Sequence, residues 1–170
     1  MPPDETTPPA SPRPPISSER VAWEVWAEGA RFGSRFRHLT QAAVGKRYHV
    51  GVQVEELAPG KQTSPAHYHL SEEEHVYVLE GACTLRLGDE RHAMRAGDYA
   101  CFPAGQRAGH CLVNEGSAPC RLLVIGERVP HDVCVYTDTG KVNVRALREI
   151  YDQRARRTYW EGEDTGGGAT

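Results

Sequence analysis

The chain has 170 residues, of which 39% are hydrophobic and 25% are charged, and this balance suits one domain with a single core. The formal net charge of -3 excludes a general electrostatic attraction to nucleic acid or to an anionic membrane. No apolar run approaches the ~18 residues that a membrane span needs, and the N-terminus has no signal-peptide core, so we expect a cytoplasmic protein with no membrane or nucleic-acid partner.

The N-terminal part of the chain divides into two stretches. Residues 1–19 hold seven of the twelve prolines and almost no large apolar side chain, so we predict a disordered, proline-rich tail. Residues 20–45 form an N-terminal arm that carries two tryptophans and two phenylalanines. The spacing of Trp23 and Trp26 is also compatible with a short helix. We expect the aromatic side chains of the arm either to cover an open end of the domain or to pack on a second subunit.

Residues 46–137 show the pattern of short strands separated by glycine, proline and aspartate turns. Hardly any helical periodicity interrupts them, so the pattern predicts an all-β sandwich or barrel. The predicted strands cover residues 48–57, 75–79, 82–87, 91–95, 120–125 and 132–136.

Residues 138–170 form a C-terminal extension with a loose end. A short helix is predicted over residues 144–157, with Leu147, Ile150 and Tyr151 on one side. Its arginines make the one basic patch of the sequence, which we interpret as a solvated helix or a subunit-contact arm rather than a nucleic-acid surface.

The five cysteines are odd in number, irregularly spaced and free of any Cys-x-x-Cys pair. This pattern predicts reduced thiols. Most of them, Cys101 included, fall in apolar strand-like runs, where a thiol behaves as a small hydrophobic side chain.

A cluster of metal-binding residue types precedes the second predicted strand. His67 and His69 are two residues apart, so in an extended segment their imidazoles point to the same side. Glu74 follows at the start of the next strand, and His110 supplies a third imidazole from a later one. Three imidazoles and one carboxylate suit a divalent transition metal such as Zn, Mn, Fe or Ni and not calcium.

The two stretches around these residues resemble the paired motifs of the cupin superfamily. The residues that carry the resemblance are Gly60, His67, His69, Glu74 and Gly81 in the first motif, and Gly97, Pro103, Gly105, His110 and Asn114 in the second. One extra residue precedes His67, and a two-residue insertion at 106–109 precedes His110. The resemblance implies an all-β double-stranded β-helix, the cupin or jelly-roll barrel, over residues 46–137. We expect it to be flanked by the N-terminal arm and the short C-terminal helix.

Residues beside the predicted ligands receive other roles. By strand alternation Tyr68 and His75 face away from the site. Glu72 and Glu73 are most simply a solvated turn, although one of them could orient a ligand imidazole. Candidates for substrate contacts are Arg107, Gln53 and Asn114.

Cupin resemblance leaves three functions open. A metal-dependent enzyme acting on a small oxygen-rich metabolite comes first, and similar small cupins are often named sugar-phosphate isomerases. The alternatives are a dioxygenase that uses Fe or another redox metal and a non-catalytic ligand-binding protein. The resemblance also implies a small-molecule substrate and a homodimer.

Overall fold

The computed structural model describes residues 13–166, so the parts of the predicted tail and loose end at 1–12 and 167–170 lie outside the described residues. Within that range the chain forms thirteen strands, one short α-helix and two 3-10 helices. The strands are β1 (Glu24–Glu28), β2 (Phe32–His38), β3 (Val50–Leu57), β4 (His67–His69), β5 (Glu74–Glu80), β6 (Ala82–Leu87), β7 (Glu90–Arg95), β8 (Tyr99–Phe102), β9 (His110–Val113), β10 (Cys120–Glu127), β11 (Val133–Tyr136), β12 (Lys141–Val144) and β13 (Glu149–Asp152). The helices are α1 (Leu39–Val44) and the 3-10 turns Ser18–Arg20 and Gln153–Ala155.

The strands form two antiparallel sheets. One sheet has the order β1-β2-β3-β10-β5-β8, and the other has the order β13-β12-β11-β4-β9-β6-β7. Between the sheets lies a core that includes Leu57, Val76, Phe102, Leu112 and Leu122, all buried. This architecture confirms the predicted all-β fold with the strand arrangement of a double-stranded β-helix, and all six predicted strand segments are present.

Gly81 makes the tight turn from β5 into β6. Its φ is +77°, and a Cβ atom there would meet the carbonyl oxygen of Pro119 at 2.6 Å. Only glycine has both the left-handed conformation at low cost and the space for this approach. The last glycine of the first motif is therefore required by the backbone path.

The N-terminal arm is part of the first sheet. β1 and β2 pair as a hairpin, and β2 continues the sheet by pairing with β3. Trp26 lies in a strand, so the helical alternative for this segment is wrong. Its side chain and those of Phe36 and His38 line the cavity beside the predicted metal ligands, as expected if the arm covers an open end.

The predicted C-terminal helix over 144–157 is wrong. β12 and β13 form a hairpin on the edge of the second sheet, where β12 pairs with β11 and β13, which lies within the predicted helix, pairs with β12. The turn of this hairpin ends at Arg148, whose φ of 58° is left-handed. Leu147 and Ile150 are about 60% exposed, so the apolar stripe of the supposed helix has no surface to pack on within the described chain.

No helix among the described residues is long and apolar enough to cross a membrane. All five cysteines are free. Four of them are buried, as small hydrophobic side chains should be, while Cys101 is partly exposed on the outside of the first sheet.

Candidate metal centre

Three neighbouring strands bring the four predicted ligands together. β4 carries His67 and His69 with the buried Tyr68 between them, and His67 pairs in register with His110, the first residue of β9. Glu74 is the first residue of β5 in the opposite sheet. The three imidazoles therefore come from one sheet and the carboxylate faces them from the other.

The distances bring His67, Glu74 and His110 together, with His69 beside Glu74. The ring centroid of His67 lies 5.0 Å from that of His69 and 4.8 Å from that of His110. The two carboxylate oxygens of Glu74 lie 4.0 Å from His69 Nε2 and 3.7 Å from His110 Nε2. One donor atom each from His67, Glu74 and His110 fall within 4.8 Å of one another.

His110 supplies the strongest sign that this group is built for a cation. The residue is 3% exposed, and neither ring nitrogen has a hydrogen-bond partner among the described residues. Its ring is held by stacking on Phe102, with centroids 3.7 Å apart and an interplanar angle of 1°. A buried imidazole without partners is costly, and a metal ion would satisfy its Nε2.

Hydrogen bonds at Nδ1 of His69 and His67 favour the tautomer that binds a metal ion. His69 Nδ1 donates to Asp132 Oδ2 at 2.7 Å, and His67 Nδ1 donates to the carbonyl oxygen of Pro65 at 2.9 Å. With the proton on Nδ1, the lone pair of each ring lies on Nε2, the form that binds metals. The donor set thus fits a first-row divalent ion.

The protonation states agree with this assignment. Burial and the neighbouring His110 lower the pKa of His67 to about 4, so its ring is neutral at physiological pH. Burial acts to raise the pKa of Glu74, but His110, His67 and His69 outweigh it and the pKa lies below its usual value. Neutral imidazoles and an ionised carboxylate are the species that coordinate a cation.

Asp132 is a site residue that the sequence interpretation missed. It is 1% exposed, and in addition to His69 its carboxylate accepts the backbone N–H of Ser71 at 2.9 Å. Burial acts to raise its pKa, but these two hydrogen bonds and the charge of Arg145 outweigh burial, so the pKa of Asp132 lies below its usual value and the group is ionised. No sequence motif marks it, because 63 residues separate it from His69.

The prediction that Glu72 belongs to a solvated turn is wrong. Glu72 is 5% exposed and forms a bidentate ion pair with Arg145, with Arg145 Nη2 donating to Oε2 at 2.9 Å. Glu72 also accepts the N–H of Val129 at 2.6 Å, and His69 Nδ1 lies 3.5 Å from it. The ion pair ties the β12–β13 turn to the segment between His69 and Glu74, which explains the position of one arginine of the basic patch.

A cavity of about 240 Å³ opens beside His67, His69 and Glu74. Gly51, Gln53 and Glu55 of β3 form one side, and the arm adds aromatic surface from Trp26 and Phe36. Gly126 of β10 pairs with both Gly51 and Glu74, so two residues without side chains leave space next to the carboxylate. The cavity therefore has an apolar wall and a polar end.

Glu55 is a second buried carboxylate in this cavity. It is 6% exposed and receives hydrogen bonds from Gln53 Nε2 at 3.1 Å and from Ser34, whose hydroxyl in turn accepts Trp26 Nε1 at 3.0 Å. Burial raises its pKa, the hydrogen bonds from Ser34 and Gln53 lower it, and the charge of Glu74 raises it, with a net shift upward. The sequence interpretation did not single out Glu55, although its alternation with Gln53 places both on one face.

The predicted substrate contacts lie in different places. Gln53 lines the cavity. Arg107 is exposed in the β8–β9 loop, outside the cavity lining. Asn114 is fully buried, and its amide donates to the carbonyl oxygens of Leu57 and Ala118, so both its N–H groups serve the backbone. Two arginines line the cavity: Arg128, in the loop after β10, and Arg145, which is paired with Glu72.

Tyr68 and His75 point away from the four ligands, as predicted. Tyr68 is buried, and His75 lies on the outer face of β5, where its Nδ1 is 2.6 Å from the hydroxyl oxygen of Tyr99. Glu73 pairs with His75 there, with Oε1 3.0 Å from His75 Nε2.

Comparison with known proteins is consistent with this geometry. Residues 53–126 match a family described as a cupin domain. The tetracenomycin polyketide synthase protein TcmJ of Streptomyces glaucescens is 30% identical over 128 residues, which cover 74% of this chain and 83% of that protein. The chain belongs to the cupin family. The cupin resemblance of the two sequence motifs is thereby confirmed.

Two solved cupin-like structures are similar over most of the chain. A protein of Acidithiobacillus ferrooxidans named "Putative sugar phosphate isomerase" is 30% identical with a TM-score of 0.75, covering 82% of this chain and 90% of that one. A Silicibacter pomeroyi protein named as a sugar phosphate isomerase from a cupin superfamily is 28% identical with a TM-score of 0.73, covering 87% and 98%. This cupin therefore shares its fold with relatives that carry two different functional names.

Proposed function

We propose that the protein is a metal-dependent enzyme that moves a proton at the carbon next to a carbonyl group of a small oxygen-rich substrate. The observation that carries the proposal is the facing pair of sites in one cavity, with three imidazoles and Glu74 at one place and the buried Glu55 at another. His67, His69, Glu74 and His110 would hold the ion. The chemistry that a divalent ion supplies there is polarisation of a carbonyl oxygen of a chelating substrate.

Glu55 is the residue that we assign to proton transfer. When ionised, its carboxylate takes the proton from the carbon next to the carbonyl, and the electron pair of that C–H bond moves toward the carbonyl oxygen. In a hydroxycarbonyl substrate the protonated carboxyl group then returns the proton to the former carbonyl carbon, while the hydroxyl proton of the deprotonated carbon passes to the former carbonyl oxygen. A raised pKa suits proton removal, because it makes the carboxylate a stronger base than an ordinary glutamate. Gln53 and Ser34 hold the carboxylate in place.

An isomerase of hydroxycarbonyl compounds is the first candidate. The names of the Acidithiobacillus and Silicibacter proteins support it, and Arg128 on the cavity wall could pair with a substrate phosphate. The substrate would be a sugar or a sugar phosphate.

A cyclase-type reaction on a polyketide is the second candidate. The name of the relative TcmJ, a polyketide synthase protein, favours a polyketide substrate, as does the aromatic surface of Trp26 and Phe36. Such a reaction also begins with loss of a proton next to a carbonyl group, so Glu55 keeps its role.

The test is solvent deuterium exchange, because it detects proton removal even when the product is unknown. Metal-loaded protein is incubated in D₂O with a panel of sugars, sugar phosphates and β-polyketones, and deuterium at the carbon next to the carbonyl is followed by NMR. We expect exchange with one class, and Glu55→Gln should reduce its rate by roughly 10²–10⁴-fold without loss of metal. Substrate binding without exchange, or equal exchange by Glu55→Gln, would contradict the proposal.

Two matched variants sharpen this experiment. Glu56→Gln changes the adjacent carboxylate, which pairs with Arg35 on the outside of the sheet, and should leave exchange unchanged. Arg128→Gln should raise KM for a phosphorylated substrate and have little effect on a neutral one. Elemental analysis of the purified protein adds the metal's identity, and a redox-active ion would direct the search toward oxygen chemistry instead.

The homodimer remains a prediction and forms part of this proposal. β1 is an edge strand with every residue exposed, including Val25 at 76%. Light scattering at micromolar concentration should give twice the mass of the chain, and a monomer would refute the dimer without affecting the proposed chemistry.

A further inference from the structure

The outer face of the first sheet carries a second cluster of metal-ligand types. It consists of Glu73, His75 and Cys101, and one donor atom from each lies within 4.8 Å of the others. Donor atoms of His67, Glu74 and His110 in the inner centre meet the same distance limit. The outer cluster plays no part in the proposed reaction.

The sheet itself places these residues together. His75 of β5 and Cys101 of β8 are direct partners in the antiparallel register, and Glu73 precedes His75 by two residues. His75 Nε2 lies 3.0 Å from Glu73 Oε1. All three residues are partly exposed, and Glu73 and His75 line an opening of about 320 Å³ that also includes Glu127.

Tyr99 prepares the imidazole for a cation. Its hydroxyl group lies 2.6 Å from His75 Nδ1 and can donate or accept a hydrogen bond. When the ring proton moves from Nε2 to Nδ1, Tyr99 accepts it in a hydrogen bond, and the Nε2 lone pair faces Glu73. A metal-bound histidine usually has such a partner on its other nitrogen.

We propose that Glu73, His75 and Cys101 bind a Zn²⁺ ion on the outer face of the sheet. Thiolate, imidazole and carboxylate are its usual ligands, and three protein ligands leave a fourth position for water. Binding releases the thiol proton of Cys101 and replaces the present contact between His75 and Glu73. Ligand atoms of a tetrahedral zinc site lie about 3.3–3.8 Å apart, so the donor atoms, now within 4.8 Å of one another, would move closer when the ion binds.

The outer site differs from the inner one in its sulfur ligand. Glu74 lies between Glu73 and His75 in sequence and points to the opposite face of β5, so the two ions would lie on opposite sides of one strand. A thiolate bound to Co²⁺ gives a charge-transfer absorption in the near ultraviolet, which imidazole and carboxylate ligands lack. Cys134 needs its own control, since its sulfur lies near His67 and His69.

The test is titration of chelator-treated full-length protein with Co²⁺, followed by absorption, together with Zn²⁺ equilibrium dialysis and elemental analysis. Wild type should bind about two Zn²⁺ ions per chain. Cys101→Ser and His75→Gln should each bind about one fewer. Cys101→Ser should lose the charge-transfer band, whereas Cys134→Ser and His67→Ala should keep it.

The matched control is His92→Gln, which changes another exposed histidine with a glutamate partner, 3.1 Å from Glu90 Oε2, but without a thiol nearby. It should leave stoichiometry and absorption unchanged. The proposal fails if wild type shows no charge-transfer band, if Cys101→Ser retains it, or if Cys134→Ser abolishes it. Circular dichroism confirms the fold of each variant, and His75→Gln keeps the test decisive should Cys101→Ser fold poorly.

Discussion

The substitution Asp132→Asn tests whether the buried carboxylate behind His69 prepares the metal centre. The change keeps the size of the side chain and an oxygen that can accept the N–H of Ser71. It removes the acceptor for His69 Nδ1–H and can place an amide N–H group opposite that nitrogen. The histidine then adopts the tautomer with its proton on Nε2, which points at Glu74 and cannot bind a metal ion.

The expected loss of metal affinity is 10–100-fold, equivalent to about 1.4–2.7 kcal/mol. The upper part of this range applies because Asp132 is 1% exposed and the hydrogen bond is only 2.7 Å long. The assay is competition for Zn²⁺ with a chromophoric chelator at fixed pH. Asp138→Asn is the matched control, since that aspartate pairs with Arg86 on the surface and should leave affinity unchanged.

An affinity within about twofold of wild type, in an Asp132→Asn protein with native circular dichroism, would refute the reasoning. It would show that the metal ion selects the histidine tautomer without help from the carboxylate. A loss of the same size in Asp138→Asn would equally refute it, because the effect would then reflect general charge.

Three further predictions concern stability. Because the pKa of Glu55 is raised, its contribution to the free energy of unfolding is complete below pH 4.5 and is lost as pH rises through the folded pKa. Glu55→Gln should therefore unfold at a higher urea concentration than wild type at pH 7, but not at pH 4. Equal urea midpoints at pH 7 would contradict this. The free energy of unfolding of the metal-free protein should fall by roughly 3 kcal/mol as pH falls from 6.5 to about 4, because the buried His67 is neutral in the folded state and takes up a proton on unfolding. His67→Gln should reduce this pH dependence in urea titrations. Gly109→Ala should lower the stability measured by thermal unfolding by about 1–3 kcal/mol, because the added Cβ would lie 2.7 Å from Thr137 Cγ2. Adding Thr137→Ala should recover part of this loss. If no stability is recovered, the loss comes from the backbone and not from the contact with Thr137.

The barrel could be predicted from sequence because its signals are local. Alternating apolar residues and glycine turns fix each strand, and strand alternation places His67 and His69 on one side of the chain. The insertion proposed before His110 stays a prediction, although Gly109, a residue without a side chain, does pass close to Thr137. These features depend on neighbours only a few residues away.

The remaining site residues depend on contacts between distant segments. Asp132 meets His69, and Arg145 meets Glu72, across 63 and 73 residues, respectively. A single sequence has no signal for such pairs. The C-terminal helix prediction failed for the same reason. The segment belongs to a hairpin in which β12 pairs with β11 and β13 pairs with β12. Local periodicity carries no information about a sheet edge that can accept another strand.

Glu74 and Glu55 show how one barrel can separate an ion-binding role from a proton-carrying one. Three imidazoles face Glu74 and lower its pKa. The pKa of Glu55, in contrast, is raised by burial and by the charge of Glu74 itself. Ionisation of one group therefore favours protonation of the other. When a cation neutralises Glu74, part of that repulsion disappears, so binding of metal should lower the pKa of Glu55 and release its proton more readily. The pKa of Glu55, measured by carboxyl NMR, should therefore be lower after addition of Zn²⁺ than in metal-free protein. An unchanged titration would mean that the two carboxylates act independently.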